Sequence, residues 1–310
     1  MRHQWTARGR GLALAALTLC TSAATAQAAA QQPPEASQSS TSVSITGERT
    51  DKVRYGKRVR VAGTVSPAAA GRGVSLEYAQ SGGRFKQVAT TTTAPDGSYR
   101  FQPRARRSGS YRALSGGATT SASKRVTVIG SLKARTSTRH STSGRKVRAS
   151  GRLLPAVRGR KVKLQVRSGR RWRTVDVSRT GSGGRIRAAW RPSSPGRHKL
   201  RLRFAGDRLA AAAGHRLRVN SYRAGHASWY GPGLYGNTLG CGGTLTPSTV
   251  GVAHKSLPCG TRVTFRYRGR SVTARVIDRG PYIAGREWDL TEALKHKLRF
   301  GSTGTVFTTR

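Results

Sequence analysis

From Val59 to Phe204 the chain alternates apolar and polar residues with a period of two. Val59-x-Val61, Val162-x-Leu164-x-Val166 and Leu200-x-Leu202-x-Phe204 carry Arg, Lys or Gln at the intervening positions. Side chains of a strand point alternately to opposite faces, so this pattern predicts short antiparallel strands buried on one side. The pattern also repeats. Gly56-Lys57-Arg58-Val59-Arg60-Val61-Ala62-Gly63 matches Gly144-Arg145-Lys146-Val147-Arg148-Ala149-Ser150-Gly151 at an offset of 88 residues, and Phe85 matches Trp172 at an offset of 87. A one-residue slip in a loop is what a duplicated unit tolerates. Each copy has room for roughly seven short strands, the size of a small β-sandwich. The copies span 42–129 and 130–220. Their matched aromatics, Phe85 and Trp172, are expected in the cores.

After a short connector at 221–226, the pattern predicts strands at Gly225–Tyr230, Val250–His254, Thr261–Tyr267, Arg270–Ile277 and Gly304–Thr308, with a turn at Arg268-Gly269. A helix is predicted from Asp289 as N-cap, with Glu292 three residues on, through Leu294 and Leu298 to Gly301. These elements make a small barrel over 226–310. The whole chain therefore reads as all-β: two tandem sandwiches, then a small barrel with one short helix.

The amino terminus is of another kind. Arg2, Arg8 and Arg10 precede the apolar run Gly11–Leu19, and Ala26-Gln27-Ala28 offers a small-x-small cleavage site. Residues 1–28 read as a secretory signal peptide. The run is too short for a permanent span, and Leu19 before Cys20 is a poor lipidation context. The expectation is a secreted or wall-associated protein with no stable membrane anchor. Residues 29–41, polar and Pro-containing, read as a disordered linker.

Charge narrows the partners. There are 58 Lys+Arg against 11 Asp+Glu, a formal charge of +47. The leader removes only three arginines. Such an excess calls for a polyanionic neighbourhood, and export makes anionic wall polymer the expected partner of the basic repeats and nucleic acid an unphysiological one. Export also favours a disulfide between Cys241 and Cys259. It closes a loop worth roughly 3 kcal/mol. The alternative, a metal half-site, has only His254 nearby, and no motif supports a metal or an organic cofactor.

Four ordered blocks in the last domain carry a resemblance. They are Ala227-Ser228-Trp229-Tyr230-Gly231, Ala253-His254-x-x-Leu257-Pro258-x-Gly260-Thr261, Val276-Ile277-Asp278-Arg279-Gly280-Pro281-Tyr282 and Arg286-x-x-Asp289-Leu290-Thr291. Residues 226–310 resemble the rare lipoprotein A-like (RlpA-like) double-psi β-barrel, a fold also found in expansins. On pattern and length alone, the repeats resemble bacterial immunoglobulin-like modules. The barrel resemblance implies a bacterial cell-wall location, peptidoglycan glycan strands as partner and, in some members, lytic transglycosylase cleavage.

Within that frame Asp278 is the expected acid/base. It shares a strand face with Val272, Ala274 and Val276, and partial burial there would raise its carboxyl. Its competing reading is a cap on the Arg279-Gly280-Pro281 turn. His254 is the expected helper, Trp229, Tyr230 and Tyr282 the sugar-stacking surface, and Arg279 a substrate contact. Asp289 is a helix cap or a weak second acid. One departure stands out: active relatives place a Glu after an Asn-Gly pair, where this chain has Gly243 after Cys241-Gly242. A transglycosylase can work with Asp278 alone, because the substrate supplies the nucleophile. The alternative is a non-catalytic, expansin-like wall binder.

Overall fold

A computed structural model describes residues 40–117 and 119–310. The signal-peptide reading and nearly all of the linker reading lie outside the described residues. No described helix is long and apolar enough to cross a membrane.

The described residues form three separate hydrophobic cores. The first repeat contributes nine strands between Ser42 and Ile129. A three-stranded sheet supplies Val61, Val65 and Phe101, the facing sheet supplies Leu76, Ala113 and Val128, and these meet in one core. The second repeat does the same with Leu153 and Ile186 against Leu164, Leu202 and Phe204. The duplication extends to single hydrogen bonds. Thr93 Oγ1 accepts from Arg72 N and donates to Ala69 O; Thr180 Oγ1 accepts from Arg160 N and donates to Val157 O. Phe85 and Trp172 are not in the cores. Both are half-buried on the outer sheet face, each beneath an arginine. Their neighbours in the strand pattern, not their size, decide the face.

The predicted connector at 221–226 is absent. A single strand, Ala210–Tyr230, runs through it. Its first half pairs with Gly196–Asp207 of the second repeat, and Arg223–Ala227 pairs with Gly304–Thr308 of the last domain. The segment is not a solvated linker because Tyr222 is buried and its hydroxyl bonds His140 Nδ1 at 2.7 Å. His140–Thr142 also pairs alongside it.

The last domain is a closed ring of six strands. The order is Trp288–Thr291, Gly251–Ala253, Arg270–Asp278, Arg262–Tyr267, Gly304–Thr308 and the end of Ala210–Tyr230, which pairs back to Trp288–Thr291. Closure removes the exposed sheet edges. Trp288, Leu290, Phe265 and Val276 fill the interior, with Leu294 and Leu298 from the helix. The helix is Glu292–Leu298, shorter than predicted, and its N-cap is Thr291, whose hydroxyl accepts from Leu294 N. Asp289 is no cap: it lies in the Trp288–Thr291 strand, two residues upstream, and its side chain is engaged across the sheet by Ser228.

Candidate active site

Strand register sets four side chains in a row. Ser228 lies opposite Asp289, Asp289 opposite Ala253, and Ala253 opposite Asp278. Residues directly opposite share a face. The two carboxylates therefore flank a methyl group, their backbones about 10 Å apart at two strand spacings.

Their environments differ. Asp289 is half-buried, and Ser228 Oγ donates to its Oδ1 at 2.8 Å. Burial pushes this carboxyl above its ordinary range, and the charge of Asp278 adds to the rise, while Ser228 and Arg286 oppose it. Asp278 Oδ1 accepts two backbone N–H groups, from Gly240 and Arg279, each at 2.8 Å. Among the described residues no hydrogen bond reaches its Oδ2. The turn contact with Arg279 expected of Asp278 is made. Tyr230 stands on the same face. Its hydroxyl is buried without a hydrogen bond of good geometry, and burial, then Asp278 and Asp289, push its ionisation up.

The loop before His254 is built to meet Asp278. Cys241 and Cys259 are disulfide-bonded, with Cα atoms 5.6 Å apart. Cys241 N donates to Ile277 O at 3.1 Å, and Leu239 and Leu245 are buried beneath the loop. A Cβ at Gly240 would lie 3.0 Å from Asp278 Oδ1, so glycine permits the approach. Gly243, at φ +84, faces open space. A side chain there has room, but the backbone disfavours one.

His254 is held apart from both acids. Its Nδ1 accepts from Ser256 N and Leu257 N at 3.1 and 3.0 Å. Nε2 faces Glu287 Oε1 at 4.0 Å, and the ring packs on Trp288. Burial lowers its pKa, opposed by Glu287 and reinforced by Arg223, Arg279 and Lys255, so the ring is neutral at neutral pH with its proton on Nε2. Glu287 is itself clamped by Arg223 through two hydrogen bonds. A backbone bond, His254 N to Asp278 O, joins His254 directly to the strand of Asp278. Arg279 is likewise committed: its guanidinium donates to Leu257 O at 2.8 Å, His254 O at 3.3 Å and Cys259 Sγ at 2.9 Å. Trp229 is half-buried, with Lys295 Nζ 3.3 Å over its ring. Tyr282 is 83% exposed beside Ile283 at 56%.

Residues 222–307 match the family model described as lytic transglycolase. This region is an RlpA-like double-psi β-barrel. The chain is 38% identical over 88 residues to a probable endolytic peptidoglycan transglycosylase RlpA of Synechocystis, covering 28% of this chain and 27% of that one. Endolytic peptidoglycan transglycosylase RlpA of Campylobacter jejuni is 40% identical over 92 residues, 29% of this chain and 34% of its own. That of Pseudomonas aeruginosa is 42% identical over 91 residues, 28% and 27%. The chain thus spans about a third or less of the length of these relatives.

Ser228, Glu287 and Arg223 were not singled out from sequence. Ser228 sits inside the Ala227–Gly231 block, but its partner is 61 residues away. The parallel pairing that joins them leaves no local signal.

Proposed function

We propose that the barrel cleaves peptidoglycan glycan strands by lytic-transglycosylase chemistry, with Asp289 as acid and Asp278 as base. The observation that carries this reading is the pair of carboxylates in one row, Asp289 set against Ser228 with burial pushing its carboxyl up, and Asp278 held by two backbone donors with its Oδ2 free of hydrogen bonds among the described residues. Acid and base roles follow from environments that separate two such groups. Protonated Asp289 gives its proton to the glycosidic oxygen as the bond to the anomeric carbon breaks. A hydroxyl of the same sugar closes on that carbon and loses its proton to Asp278 Oδ2. The products are a shortened strand and a new end closed as an internal anhydro ring, with no water consumed. Proton return from Asp278 to Asp289 resets the site. Neutral His254 organises the turn at 255–257, and Tyr282 offers an exposed ring for stacking on sugar.

The single-carboxylate version, with Asp278 as acid and then base, makes the same product. A second reading is a wall-glycan binder without turnover. It is favoured by Gly243 standing where active relatives carry Glu and by the Lys295 cover on Trp229. In either case the protein is exported to the cell wall, and the immunoglobulin-like, basic repeats hold it on anionic polymer. Mass spectrometry of peptidoglycan incubated with the purified protein separates the readings. Anhydro-ended fragments support cleavage, water-added reducing ends point to hydrolysis, and an unchanged wall with bound protein leaves the binder.

A further inference from the structure

The duplication carries one arginine-over-aromatic stack twice and neutralises it once. In the first repeat Arg112 lies 4.2 Å over the Phe85 ring, and its Nε donates to Glu77 Oε2 at 2.7 Å. In the second repeat Arg201 lies 4.2 Å over the Trp172 ring, and its Nε donates to Gln165 Oε1 at 2.8 Å. The register is the same: Glu77 is opposite Arg112, and Gln165 is opposite Arg201. Glutamine keeps the acceptor and loses the countercharge.

Around Arg201 the outer face gathers further cations. Lys163 is opposite Arg203, Arg201 opposite Arg216, and Lys199 opposite Arg218. All but Arg201 are exposed. Along Gly196–Asp207 the cations Arg203, Arg201 and Lys199 step about 6.8 Å, with Lys163 about 4.8 Å to one side of Arg203 and Arg216 and Arg218 as far to the other side of Arg201 and Lys199. Between positions 130 and 220 there are two acids, Asp176 and Asp207. Asp207 is clamped by Arg160 at 2.8 and 2.9 Å, and Asp176, opposite Leu164, accepts from Ala189 N. Neither is left to serve this face. Burial, then the like charges of Arg203 and Arg216, draw the Arg201 guanidinium below its ordinary range. Like charges set directly opposite destabilise a sheet, so an anionic occupant relieves the face.

We infer that this face of the second repeat is a binding track for a linear polyanion, running along the strands over Trp172 and the three cation pairs. One anion needs one pair; three pairs in regular steps fit a chain with a charge on each unit. Trp172 supports the Arg201 guanidinium within that track. The inference rests on the wall-binding part of the proposed function for location alone and is independent of the barrel's chemistry.

The test is a titration of the purified protein with long-chain inorganic polyphosphate and, separately, with polygalacturonate, at low and raised salt. The expected result is salt-sensitive binding to at least one polymer, and which one binds tells phosphate from carboxylate. Arg201→Gln with Arg216→Gln is expected to weaken binding about tenfold or more, as loss of two contacts to a polyanion does. Arg100→Gln with Arg125→Gln, two exposed arginines of the first repeat, removes the same charge and is expected to change binding less than about twofold. Gln165→Glu installs the ion pair that the first repeat already accommodates, so it leaves folding intact and is expected to weaken binding. Binding to neither polymer, or equal loss in the two double variants, overturns the track. Because the assay contains no peptidoglycan, its failure leaves the cleavage reading standing, and the reverse holds.

Discussion

Asp278 and Asp289 face the same side of the barrel sheet with Ala253 between them, each one strand away. Two identical groups are thereby given different surroundings. Asp278 is fixed by backbone donors at the end of its strand, and Asp289 is set into the sheet against Ser228. The tendency of Asp289 to hold a proton is a property of the pairing of four strands.

That tendency sets a pH dependence. Burial raises the Asp289 carboxyl in the folded state. The folded protein then binds this proton more tightly than the unfolded chain, whose carboxyl titrates near about 3.9. Stability from this group is therefore full below that value and is lost as pH rises through the raised folded value. Asp289→Asn retains an acceptor for Ser228 and removes the loss. Thermal melts are expected to show the variant gaining on the wild type as pH rises above about 3.9. A gap independent of pH counts against the assignment.

Thr291 is the N-cap, and its hydroxyl also joins Gly251 N and O at 3.1 Å in the interior. Thr291→Ala is expected to destabilise the barrel by about 1–2 kcal/mol. Thr291→Ser is expected to recover most of this in urea unfolding.

The disulfide closes a loop across 18 residues and holds the segment that delivers Gly240 N to Asp278. Replacing Cys241 and Cys259 with serine is expected to cost about 3 kcal/mol. Hydrogen exchange is expected to show the Gly240 amide losing protection before the barrel core does.

Gly243 adopts φ +84 in open space, so steric clash does not bar a side chain. Gly243→Glu is expected to lower stability by about 1–2 kcal/mol and Gly243→Asn by less, because asparagine tolerates this region. Equal losses would point to a contact rather than to the backbone.

The barrel strands were largely readable in the sequence. Gly304–Thr308 is found as predicted, and Arg262–Tyr267 and Arg270–Asp278 within one residue, because alternation and the turn at Arg268-Gly269, both at positive φ, are local signals. The Trp288–Thr291 strand was hidden. It is four residues long and runs straight into the helix, and Asp289 with Glu292 imitates a capping box that Thr291 fills instead. The acid row was unreadable for a similar reason: His254, Asp278 and Asp289 stand out in their blocks, but which groups face each carboxyl depends on Ser228 and on the order of strands around the ring. The outward placement of Phe85 and Trp172 likewise follows from register, which matched aromatics alone do not reveal.

The central claim is that Asp289 and Asp278 act as acid and base on a glycan strand. Its most direct test is the rate at which anhydro-ended fragments leave peptidoglycan with the wild type, Asp278→Asn and Asp289→Asn, each checked for wall binding by sedimentation. The account predicts such fragments from the wild type and at least about a hundredfold loss in both variants, the usual scale for removing a general acid or base, with wall binding retained. Anhydro-ended release at the full rate from either variant, or none from the wild type, contradicts it.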